Sequence, residues 1–175
     1  MAAYWQEVRK ILASQRAHEL LNSLRSDTGP SILTTLDANE EIDWAYKDGH
    51  CFSLIHHAVE AAIRLEDKRI FDTVLTRILE NAPDMVNWQT PNGRHPQCWS
   101  PLHKCVNVVF AKTETEKEAI HNDIVSELIS RQDPDVSLAC TSRNGSTVAF
   151  KVAAILASDH STHPSANAYI EPNTC

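Results

Sequence analysis

The sequence predicts an all-α fold of repeated helix pairs, on three observations. Only four glycines occur in 175 residues, too few for a fold of many tight turns and well suited to long helices. Two aliphatic sets, Ile70, Val74, Leu75, Ile78, Leu79 and Ile120, Ile124, Val125, Leu128, Ile129, share the spacing i, i+4, i+5, i+8, i+9 at an offset of 50 residues. Each set paints one face of a helix. Finally, Ser53, Ser100 and Thr147 open apolar helical segments at two successive steps of 47 residues, and a hydroxyl at a helix start accepts a bond from an orphan N–H of the first turn.

Taken in order, residues 1–43 hold a helix from about Tyr4 to Leu24 and a second apolar run, "SILTTL", expected to form an N-terminal cap or divergent first unit. Residues 44–87 form the first full unit: the turn dipeptide Asp48-Gly49, a helix beginning at "SLIHHAV", a second helix, and the ending "ILENAPDMVN". Residues 88–137 repeat it, with Asn92-Gly93, "SPLHKCV", a second helix and "LISRQDPDVS". Both endings place a proline after the helix and a valine eight residues past its first aliphatic. Pro101 suits a helix start, where its fixed φ fits and its missing N–H costs nothing. Residues 138–157, with Asn144-Gly145 and "TVAFKVA", hold a unit without a second apolar helix, and 158–175 form a polar, proline-containing tail. All three glycine dipeptides favour positive φ and a tight reversal.

These residues resemble the ankyrin repeat: a glycine turn, Ser/Thr-Pro-Leu-His with a small residue, two helices, and an Asp-Val-Asn-like exit. Gly93 with Ser100, Pro101, Leu102, His103, Lys104 and Cys105 carries the resemblance best. Gly49 with Ser53 and His56 matches less closely, and Gly145 with Thr147 keeps the spacing while Val148, Ala149 and Phe150 replace the signature that follows. "EEIDWAYKDG", residues 40–49, resembles the exit of an earlier unit. The resemblance spans residues 36–154 and implies a short solenoid. It departs from the family in period, since these units run 44–50 residues against about 33; a HEAT or armadillo arrangement is the rival architecture. The family implies that His56 and His103 bond backbone groups of their own turns, and that the loops ahead of the first helices project as partner-binding fingers.

By that implication the contact residues are Trp88, Arg94, His95 and Trp99 in the loop "NWQTPNGRHPQCWS", joined by His50 and Phe52 from the preceding finger. Tryptophan and arginine dominate binding hot spots; the alternative is that the indoles fold back to pad the neighbouring unit. His95, Cys98, His103 and Cys105 are zinc-competent types, but H-x2-C-x4-H-x-C is not a common zinc spacing, so neither metal nor cofactor is expected. A His103–Cys105 dyad is poorly placed, because residues two apart on a helix diverge. No phosphate loop, nucleophile elbow or zinc-protease helix is present, and nothing in the sequence specifies an enzyme.

The formal net charge of −7, from 16 basic and 23 acidic side chains, leaves no cationic run for nucleic acid and favours a protein partner. Five unpaired-looking cysteines and the lack of a long apolar segment point to a reducing cytoplasmic or nuclear compartment, without membrane insertion. Arg9, Lys10, Arg16 and Arg25 on an amphipathic pattern would suit a mitochondrial leader, which Glu7 and Glu19 oppose. The expected function is therefore protein–protein recognition, as an adaptor or accessory subunit. The rivals are a structural subunit of a larger complex, which would cover the unfinished last unit, and a small zinc-binding domain.

Overall fold

The computed structural model describes residues 1–38, 41–88, 100–106 and 115–131. Among them are six α-helices: α1 (Ala2–Ser26), α2 (Gly29–Asp37), α3 (Leu54–Leu65), α4 (Lys68–Asn81), α5 (Pro101–Val106) and α6 (Thr115–Arg131), with one 3-10 turn at Pro83–Val86. The helices pack as three pairs, α1 with α2, α3 with α4 and α5 with α6. Successive first helices touch, α1 on α3 and α3 on α5, as do successive second helices, α2 on α4 and α4 on α6. The result is two helical layers with α3 at the centre of one of them.

Helix α3 is central because nine of its twelve residues are buried, His56 and His57 of its polar side among them, so neighbours cover more than its apolar face. Ser53 and His56 form a capping box at its start, satisfying donors that the first turn would otherwise leave orphaned. At its end Glu66 adopts the left-handed region, φ 54°, and its N–H closes on Ala62 and Ile63 carbonyls. This reversal uses no glycine, so α4 follows after two residues on a strained corner. Asp67 then caps α4 by accepting the Arg69 N–H at 3.1 Å.

The aliphatic pattern of α4 holds in packing: Ile70, Val74, Leu75 and Ile78 are buried with Phe71, and Leu79 sits at the margin of the core. In α6, Ile124, Val125 and Leu128 are buried and Ile120 is marginal, but Ile129 is exposed. The α6 stripe is therefore narrower than the matching pattern predicts. Position 129 lies about 40° round the helix beyond Val125, outside the arc that the buried residues span.

At the N-terminal end, α1 meets the core only through its second half, with Ala17, Leu20, Leu21 and Leu24 buried. Arg64 of α3 donates to the Leu24 carbonyl at 2.9 Å, satisfying one of the orphan acceptors at the end of α1. The "IDWAYK" segment returns the chain over α1: Trp44 is buried and the Asp43 N–H donates to the Ala13 carbonyl at 3.1 Å. The loop residues Gly93, Arg94, His95, Cys98 and Trp99, and the last unit with Gly145 and Thr147, lie outside the described residues.

Candidate partner-binding site

The finger runs from Lys47 to Ser53, which form an isolated antiparallel bridge. Asp48 organises it. Its backbone N–H donates to Phe52 O and its carbonyl accepts from the Cys51 N–H, both at 2.9 Å. Its Oδ1 accepts the N–H of His50 at 2.8 Å and of Phe52 at 2.9 Å. Because one carboxylate oxygen draws in both amides, the positive φ falls on Cys51, at 67°. Gly49, where the dipeptide predicts it, keeps φ outside that region and has open space around its Cα. The finger tip, Gly49 and His50, is exposed.

The other oxygen, Oδ2, anchors the finger to two helices. It accepts from Arg25 of α1 at 2.6 Å and faces His57 Nε2 of α3 at 3.1 Å, with the Asp48 side chain only 6% exposed. Burial raises the Asp48 pKa, but the Phe52 and His50 N–H groups and His57 outweigh it and hold the carboxyl below its ordinary value. The second ring nitrogen of His57, Nδ1, is buried without a hydrogen bond, with Glu60 Oε2 at 3.7 Å. Glu60 in turn takes Lys104 of α5 at 2.8 Å. Burial again works against its charge, and His57 and Lys104 overcome it, lowering the Glu60 pKa to about 2. An ionic clasp thus runs from α1 through the finger and α3 to α5.

Aromatic contacts brace the same finger. Phe52 is half-buried, tilted on His56 at 5.2 Å between ring centroids, with Lys104 Nζ 4.2 Å over its face. On the other side the Trp88 indole N–H donates to the Cys51 carbonyl at 2.9 Å, and Lys47 Nζ lies 3.9 Å over that ring. Trp88 therefore leans back on the first finger and stiffens it. Of the predicted contact residues, His50, Phe52 and Trp88 converge on this finger, while Arg94, His95 and Trp99 lie outside the described residues.

The two histidines of the repeat motif have equivalent geometry. His56 Nδ1 takes the Ser53 N–H at 3.2 Å and lies 2.8 Å from Ser53 Oγ. His103 Nδ1 takes the Ser100 N–H at 3.3 Å and lies 2.7 Å from Ser100 Oγ. Accepting an N–H at Nδ1 places the proton of a neutral ring on Nε2. Gly49 lies in the turn, Pro101 and Leu102 open α5, and Leu102 is buried. A third histidine, His121 of α6, places Nε2 2.9 Å from the Cys105 carbonyl, tying the second helix of that pair to the first.

Of the zinc-competent residues His103 and Cys105 are described, and both are buried. Cys105 is buried, and burial pushes its thiol pKa far up, so a thiolate is strongly disfavoured there. Among the described residues no three His, Cys, Asp or Glu side chains converge as metal ligands, and no helix is long and apolar enough to cross a membrane. His95 and Cys98 lie outside the described residues.

No protein-family model, curated protein or solved structure matches the chain.

The clasp is what sequence reasoning missed. Arg25, Asp48, His57, Glu60 and Lys104 come from four separate segments. The one local signal is a pair of adjacent histidines in an otherwise apolar helix with an acid three residues on, at His56, His57 and Glu60.

Proposed function

We propose that this chain is a non-catalytic protein–protein recognition module of the ankyrin-repeat type, an adaptor or accessory subunit, which holds its partner with its fingers and the neighbouring first helices. One observation carries the reading. The same Ser–His closure occurs at two helix starts 47 residues apart, and the first is preceded by a braced finger with an exposed tip. Helix pairs stacked side by side would offer a stiff surface, and a finger held on both flanks loses little entropy when a partner binds. His50, at the tip, and the Arg94 and Trp99 side chains of the next loop are the contacts of this proposal.

The test is affinity capture from the native source with a tagged chain, beside a His50→Ala/Arg94→Ala/Trp99→Ala variant whose fold is verified by circular dichroism. A captured protein that binds the purified wild type directly, and the variant at least about tenfold more weakly, supports the reading. Equal recovery of the same partners by both proteins counts against the fingers and in favour of a structural subunit built in through another face.

A further inference from the structure

The first half of α1 carries a second apolar stripe that the core does not use. Met1, Tyr4, Trp5, Ile11 and Leu12 are exposed, at 103%, 67%, 60%, 59% and 44%, and Val8 between them is half-buried. At about 100° per residue these six fall within an arc of roughly 120°. The core-facing set Ala17, Leu20, Leu21 and Leu24 is centred nearly opposite, so the stripe faces away from the core formed by the described residues. The rings of Tyr4 and Trp5 pack edge to face, centroids 5.6 Å apart, making one continuous apolar ridge of a kind that monomers seldom leave bare.

We propose that this ridge is a dimer interface, in which α1 packs in parallel on α1 of a second copy of the chain. Charge selects the occupant. The exposed Arg9 lies about 40° beyond one edge of the stripe and the exposed Glu7 about 40° beyond the other. A two-fold axis parallel to the helix therefore sets Arg9 of each copy beside Glu7 of its mate, whereas antiparallel packing sets like on like. The formal charge of −7 disfavours an anionic lipid surface. Area agrees as well: Tyr4, Trp5, Ile11 and Leu12 offer about 500 Å² per copy on typical side-chain areas. With Met1 and the flanking stems this approaches the roughly 800 Å² per partner of a standard interface.

The test is sedimentation equilibrium of the full chain up to about 100 μM, with far-UV circular dichroism as the folding control. The wild type is expected to dimerise. Trp5→Ser/Ile11→Ser, both on exposed positions, is expected to weaken the dimer at least about tenfold. Glu7→Arg and Arg9→Glu are each expected to weaken it about three- to tenfold, and the double exchange to restore it. A wild type that stays monomeric overturns the proposal, whether the stripe is then found on vesicles of anionic phospholipid or shielded by the chain's own remaining residues. A dimer indifferent to Trp5→Ser/Ile11→Ser, or single reversals that the exchange fails to rescue, overturns it equally.

Discussion

Replacing Asp48 by alanine removes the acceptor at the centre of the clasp. Four donors lose it together: the N–H groups of His50 and Phe52, Arg25 and His57. Arg25 is near the surface and regains water, and so does the exposed His50 amide. The Phe52 amide is partly covered, and the His57 ring is 3% exposed with its other nitrogen already without a hydrogen bond. Stranding that ring and one partly buried amide costs about 3 kcal/mol, within the range for breaking one side of a buried polar pair. For a chain of this size that lowers the melting temperature by about 6–12 °C. Thermal unfolding followed at 222 nm reads it directly. Asp48→Asn keeps one acceptor oxygen for the amides and should lose about half as much. A melting temperature within about 2 °C of wild type in Asp48→Ala would refute the idea that this carboxylate holds the finger to the helices.

Three further outcomes follow from the same geometry. Glu66→Gly should stabilise the protein by about 1 kcal/mol, since glycine takes φ 54° without the Cβ penalty and the long contact of the exposed Glu66 carboxylate with Lys117, at 3.9 Å, contributes little; a lower urea midpoint would contradict it. Glu60, whose pKa falls from 4.5 unfolded to about 2 folded, contributes stability that is complete above pH 4.5 and lost as pH falls toward 2. Because its side chain is 49% exposed, screening reduces the effect to about 1 kcal/mol; urea midpoints at pH 3 and pH 6 should differ less in Glu60→Gln than in wild type, and an equal difference would argue against it. Ser53→Ala and Ser100→Ala should each cost about 1 kcal/mol, read by the same melts, and markedly unequal costs would mean that the two closures are not equivalent.

How much of this is legible in the sequence depends on the range of the physics involved. Helix starts are legible because capping is local: Ser53 and Ser100 each find their histidine three residues on. The α4 and α6 faces are legible because helical spacing is local too, and Ile129 departs because how wide an arc of α6 is covered depends on its tertiary neighbours. The finger is half legible. Asp48-Gly49 signals a reversal, yet which residue takes positive φ depends on where the Asp48 carboxylate gathers its amides, and that moved it to Cys51. The clasp is almost illegible, since Arg25 and Asp48 lie 23 residues apart, and Lys104 and Glu60 meet only because α5 stacks on α3. In α1 two apolar stripes on opposite sides blur the amphipathic pattern, so neither the buried half nor the exposed ridge stands out in the sequence.

Recognition of a protein by the finger surface is tested by a calorimetric titration of the captured and purified partner against wild type and against the folded His50→Ala/Arg94→Ala/Trp99→Ala variant. The variant is expected to bind at least about tenfold more weakly with its melting temperature within about 2 °C of wild type. Equal affinities for the two proteins would contradict it.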